Sequence, residues 1–281
     1  MNLTTLNRVK QFARITGSGQ DALITALIPL VSDQVAKLLG ADLEETTYRA
    51  WVDGSGAEVL RLDNWPVTRV YYVAVSAVDV ADVWNSSSSV ARAEVSTDAT
   101  GITLTEHSTA GAETITAKTY ASAATLTLLE AAIEGAAGWN VEVESGYTAY
   151  PSLQIRPLEG QYAYTPDRAD LWVPDDSVGV KLVDVDMIQR RDGTVFPDCR
   201  AGVYVHYKAG YTLPTNDSAG TLPGGLLLLV NQMVNDAVRS NTVNAGLKSE
   251  SLGDYSYSVG EVVSLVEARR KDLLAYGRVS L

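Results

Sequence analysis

The stretch Asp21–Val52, "DALITALIPLVSDQVAKLLGADLEETTYRAWV", changes its hydrophobic period partway along. Leu23, Leu27, Leu30 or Val31, Val35 and Leu38 recur at the spacing of one helix face, and Gly40 closes the run. From Thr46 the period falls to two, as a half-buried strand requires. A chain that does both within one short stretch is expected to be α+β: a helical core of about four helices with β-hairpins. Pro29 lies inside the helical run and is expected to bend it, because proline lacks a backbone donor and collides with the preceding turn.

Upstream, Leu6, Val9 and Ala13 mark a short amphipathic helix after Thr4 or Thr5, ended by Gly17. Ser18 followed three residues later by Asp21 has the form of a capping box for the next helix. Downstream, "TTYRAWV" and "AEVLRL" are separated by "DGSGA" and read as a hairpin, and "TRVYYVAV" continues the strand character.

The middle of the chain follows another pattern. Ile102 and Leu104 alternate in one strand and Ile115 marks a second. Thr125 is placed to cap a helix whose face is Leu126, Leu129 and Ile133, with Gly135 as its stop. "GWNVEVESGY" then alternates, Trp139, Val141 and Val143 inward. "RPLEGQYAYTPDRADLWVPDD" reads as an irregular exit. Net charge is −12, and residues 73–178 hold 15 acidic groups against 4 basic ones, which leaves both flanks near neutrality. Charge and pattern together predict an acidic, β-rich inserted small α/β domain over 75–178, within a discontinuous helical and β core of 1–74 and 179–281.

Beyond it, "KLVDVDMI" and "AGVYVHYKAGY" read as strands. Pro223 opens a helix with Leu226, Val230, Val234 or Met233, and Ala237 on its buried face. A last helix runs from about Glu261 to Tyr276 with Val262, Val266, Leu273 and Leu274.

The totals exclude several classes. One cysteine, Cys199, rules out an intramolecular disulfide framework and fits a reducing cytoplasm. "MNLTTLNRVKQ" lacks the apolar run of a signal peptide, and "LLLLV" at Leu226–Val230 is far shorter than a membrane span, so no membrane partner is expected. A sequence-independent nucleic-acid binder would carry a basic footprint. The one dense basic cluster, Arg269, Arg270 and Lys271, reads as cations at a helix C-terminus. His206 sits on an alternating strand and reads as a half-buried side chain, while His107 reads as loop. Neither pairs with Cys199 at zinc-site spacing. Asp184 and Asp186, two apart on one strand, could hold a divalent cation or act as an acid–base pair, but the simpler reading is the solvated side of an edge strand. No catalytic, cofactor-binding or metal residue is therefore expected.

What stands out is apolar. Fourteen tyrosines against two phenylalanines suit a protein rich in contact surfaces. In "GLKSESLGDYSYSVG", Gly246–Gly260, Tyr255, Tyr257 and Val259 fall on one side of an extended ribbon between two helices. A lone ribbon is marginal in water, and an exposed strand edge commonly finds its partner in another chain. Tyr255, Tyr257 and Val259, with Leu252 nearby, are accordingly expected at an intersubunit contact.

The order of these pieces resembles the head–tail connector proteins of long-tailed bacteriophages, the adaptors that dock beneath the portal. The resemblance rests on Tyr207, Ala209, Gly210, Tyr211 and Pro214 in "YKAGYTLP" and on Ser249–Ser256, "SESLGDYS", in their order and spacing. It covers roughly 1–74 and 179–281, and Pro29 departs from the usual helix-friendly residue. The resemblance implies a homo-oligomeric ring matching the portal's dodecamer, with a channel through which genomic DNA passes without sequence-specific binding. It implies the portal and a tail or head-closure protein as partners. Its place would be the virion head–tail interface, after assembly in the host bacterial cytoplasm. The tail "GRVSL", with Arg278 and Leu281, is the candidate portal-docking segment. A second reading makes the chain a virion-surface or glycan-binding module working through its insert, and a third an enzyme using Asp184, Asp186 and a metal.

Overall fold

The computed structural model describes residues 1–216, 218–247 and 259–277. It is α+β: six helices and thirteen strands in four antiparallel or mixed sheets among the described residues. The chain divides into two compact units. The first comprises Met1–Thr46, Asp63–Thr68 and Lys208–Leu281, the second Thr47–Leu62 and Arg69–Tyr207.

The first unit is built on helices. α1 (Leu6–Ala13) is capped by Thr5, whose hydroxyl accepts the Arg8 amide, and it stops at Arg14 in the left-handed region rather than at Gly17. α2 (Asp21–Leu39) starts after Gln20 without a side-chain cap, so the expected Ser18 box does not form. The Asp21 carboxylate is held instead by Lys10 at 2.6 Å. α2 continues through Pro29 to the left-handed Gly40, and Ile24, Leu27, Val31 and Val35 are buried along it. By length and composition alone α2 could cross a membrane. Here those side chains pack with Leu226, Val230, Met233, Val234 and Ala237 of α4 (Gly224–Leu247), the expected buried face of that helix. The expected last helix is two, α5 (Val259–Ala268) and α6 (Arg270–Leu274), which bury Val266 and Leu273 but leave Leu274 exposed.

Buried polar groups fix the N-terminus of this unit. The Leu3 amide donates to Ser32 Oγ at 3.0 Å and Thr4 Oγ1 donates to Asn231 Oδ1 at 2.6 Å. Both bonds join positions far apart in sequence, and each partner is buried. Buried donors need acceptors, so the segment that leads into α1 is tied to α2 and α4 by chemistry as well as by packing.

In the second unit, β1 (Thr46–Val52) and β2 (Val59–Arg61) do not form the expected hairpin. β1 lies in a sheet of order β1-β13-β3, with β3 at Val67–Ala74 and β13 at Val203–Ala209. β2 joins β11 (Val180–Asp184) and β12 (Met187–Arg190) in another. The intervening loop is claimed elsewhere: the Gly54 amide donates to Cys199 O, and Asp53 Oδ1 accepts the Ala201 amide. β13 is buried along almost its whole length, which suits a central strand better than an edge.

The remaining strands are β4 (Ala77–Asn85), β5 (Val90–Thr97), β6 (Gly101–Ser108), β7 (Glu113–Thr119), β8 (Trp139–Val143), β9 (Leu158–Tyr162) and β10 (Ala169–Pro174). They form sheets of order β10-β4-β8 and β7-β6-β5-β9. α3 (Leu126–Glu134) is capped by Thr125 and buries Leu126, Leu129 and Ile133, as its sequence predicts. Together these elements enclose one apolar cluster drawn entirely from Val78–Val173. The stretch read as an irregular exit contains β9 and β10, and His107 lies on β6 opposite Glu113 rather than in a loop. Beside this cluster the Glu106 carboxylate accepts from both Trp139 Nε1 and Asn85 Nδ2.

Candidate interaction surfaces

Cross-strand packing on the β1-β13-β3 sheet sorts the aromatic residues to two faces. Tyr48 stacks on Tyr207 at 5.4 Å on one face. On the other, Trp51 meets Tyr204 edge-on at 5.5 Å, and Gln154 O accepts the Trp51 indole while Arg156 lies over its ring. That end of the face is covered. The other end is open: Arg49 Nε donates to His206 Nε2 at 3.4 Å, His206 lies 4.8 Å from the Tyr71 ring, and Arg69 sits 4.9 Å above Tyr71. Arg49, Arg69 and Tyr71 are exposed. Burial and the neighbouring guanidinium both push the His206 pKa down, which keeps the ring neutral and its Nε2 free to accept. His206 is thus the half-buried side chain that its strand position suggests.

A second cluster lies on β4, β8 and β10. Asp170 pairs directly across from Asp82, and Asp82 from Glu142. The register slips between Leu171 and Trp172, which face Ala81 and Asp79, so Val80 is an extra residue in β4. Such a bulge re-aims side chains, and here it turns Asp79 to the face of Asp82 and Asp170. The three carboxylates place oxygens within 4.8 Å of one another. Arg168 neutralises one side, bonding Asp82 at 3.1 Å and Glu142 at 2.7 Å while stacking on Trp84. Asp79 and Asp170 have no cation partner among the described residues. Desolvation first and like-charged neighbours second push both pKa values up. Three carboxylates at this spacing suit a divalent cation, but the arginine already serves the outer pair.

A cleft of about 530 Å³ is lined by Asp98, Arg156, Glu159, Trp172 and Arg200 among others. Its cations are committed, Arg200 to Glu159 at 2.9 Å and Arg156 to the Arg200 carbonyl at 2.8 Å.

Asp184 and Asp186 do not share a strand face. β11 ends at Asp184, whose carboxylate is exposed and accepts the Val185 amide, whereas Asp186 is buried beyond the turn and pairs with Arg61 at 3.4 Å. The turn between them separates what spacing had put together. It also exposes Leu182, Val183 and Val185 at an open sheet edge. Of the residues expected at subunit or portal contacts, Leu252, Tyr255, Tyr257, Arg278 and Leu281 lie outside the described residues. Val259 opens α5. The open strip of Arg49, Arg69, Tyr71 and His206 was missed in the sequence because its strands come from three distant segments. Its only local trace is the i, i+2 spacing of Arg69 and Tyr71.

By class, this is an α+β protein, and the features described above are clusters of side chains on its sheets. Residues 2–138 match the family model described as head completion protein. That match, over just under half of the chain, supports a phage head completion and connector family, as the resemblance drawn from the sequence implied. Such a family implies a structural role in phage head assembly, a place in the virion head and contact with head or portal components. The matched span runs through α1, α2 and on to α3, and does not include the "YKAGYTLP" and "SESLGDYS" stretches. Comparison with curated proteins and with solved structures returned no match.

Proposed function

We propose that the chain is a ring-forming adaptor at the phage head–tail junction that binds the portal, extends the DNA channel and offers a platform for the tail or head-closure protein. The match of residues 2–138 to head completion proteins carries this reading. The exposed apolar positions on its helices and open strands, among them Leu228, Leu274, Leu182 and Val183, are in keeping with a protein that works by contact. In this reading a head-to-tail contact repeats from copy to copy and closes, so that every subunit uses the same two surfaces. Residues 75–178 are proposed to be an inserted acidic domain carried by that ring, and Leu252, Tyr255, Tyr257 and Val259 to contribute to the contact, with Arg278 and Leu281 at the portal.

Native mass spectrometry of the full chain, with and without portal rings, tests the reading. A closed oligomer in either condition is expected. A chain that stays monomeric in both, and does not bind portal, removes it. The double variant Tyr255→Ser/Tyr257→Ser is expected to lower the oligomer fraction while leaving helical circular dichroism unchanged.

A further inference from the structure

We propose that the open strip of Arg49, His206, Tyr71 and Arg69 is a docking surface for a second copy of this chain, and that it receives that copy's Asp79 and Asp170. The proposal rests on the ring reading above and adds to it a specific pair of surfaces.

The strip is a continuous row across three strands, with a guanidinium at each end and an imidazole and a phenol ring between them. Neither Arg49 nor Arg69 pairs with a carboxylate among the described residues, although the chain carries a net charge of −12. Arginine and tyrosine on an exposed, preorganised face are the residue types that anchor protein contacts. The ring interactions hold both cations in place before a partner arrives, which lowers the ordering cost of binding.

Charge complementarity selects the occupant. The acidic surplus of the chain is concentrated in residues 73–178. Within that segment Arg168 satisfies Asp82 and Glu142, which leaves Asp79 and Asp170 crowded by like charge. Arg49 and Arg69, without a carboxylate, and Asp79 and Asp170, without a cation among the described residues, are matched when the contact is head to tail. A guanidinium that reaches the carboxylates relieves their repulsion and supplies donors in a planar fork. A nucleic-acid surface is the poorer fit, because phosphate binding grows with the number of neutralised charges and this strip offers only two.

The test uses the full chain, with self-association followed by native mass spectrometry and sedimentation at low and high salt, alone and on portal rings. Arg49→Glu/Arg69→Glu and Asp79→Lys/Asp170→Lys are each expected to weaken association by about tenfold or more, with unchanged circular dichroism. Mixing the two charge-reversed variants is expected to restore assembly, since native Arg–Asp contacts and swapped Glu–Lys contacts then alternate around the ring. Arg49→Gln/Arg69→Gln serves as the milder variant if charge reversal disturbs the fold. Wild-type rings that are indifferent to these substitutions, or variants that fail alone and also fail when mixed, overturn this contact and leave the ring reading standing. Wild-type chains that never associate remove both. Duplex DNA binding that is lost in Arg49→Glu/Arg69→Glu while association is unaltered assigns the strip to phosphate and overturns the proposal.

Discussion

At Gly210 the backbone takes a φ of +102°, and a Cβ built there would lie 2.5 Å from the Glu44 carbonyl oxygen. Its amide donates to Pro66 O at 2.9 Å, so the residue joins three separate segments of the first unit. Glycine in "YKAGYTLP" is therefore a requirement of geometry, because no L side chain fits that close approach or favours that φ. Gly210→Ala is expected to cost about 2 kcal/mol or more in a denaturant melt. Ser32 shows the same dependence through polarity. It sits wholly buried on α2 and accepts the Leu3 amide while donating to Ile28 O. Ser32→Ala would strand a buried donor, and a loss of about 1–3 kcal/mol is expected. Neither role is visible from neighbouring residues, since Glu44, Pro66 and Leu3 lie far along the chain from the residues they meet.

Among the elements, β4 shows most clearly how a local irregularity makes a surface. Its extra residue puts Asp79 beside Asp82 and Asp170, and the folded state then holds protons on Asp79 and Asp170 more tightly than the unfolded chain does. The sign follows from linkage. A carboxylate whose pKa is raised on folding favours the folded state at low pH, and that advantage is lost as pH rises through the ordinary carboxylate range toward the raised value. Asp170→Asn is expected to stabilise the isolated chain at neutral pH by up to about 1 kcal/mol, screening by water keeping the gain small. The gain should vanish near pH 3. A difference curve of melting midpoint against pH for the two proteins checks both size and direction. The same substitution should weaken assembly if Asp170 meets an arginine of a neighbouring copy, so the two measurements are expected to move in opposite senses.

For the whole molecule, the apolar cluster drawn only from Val78–Val173 carries a consequence for folding. A cluster that recruits no side chain from outside its own span supplies its own hydrophobic stabilisation. The fragment 75–178 is accordingly expected to melt cooperatively when expressed alone. A fragment that remains unfolded would show that the flanking strands are needed, through contacts such as the Trp51 indole on Gln154. The helical unit obeys the same logic with another topology. α2 and α4 meet although nearly the whole second unit separates them in sequence, because each has one apolar face and the other is its complement.

Local patterning along the chain set the periods. It placed α2 and its Gly40 stop, the Thr125 cap and buried face of α3, the inward alternation of Trp139 and Val141, and the buried face of α4, because each depends on residues a few positions apart. The pairings were settled by long-range packing. β1 joined β13 rather than β2, Asp186 was buried against Arg61 while Asp184 faced water, and Arg49, Tyr71 and His206 came to share one open face. Strand neighbours are chosen by backbone hydrogen bonds that carry no side-chain signature, and which charges meet then follows from that choice.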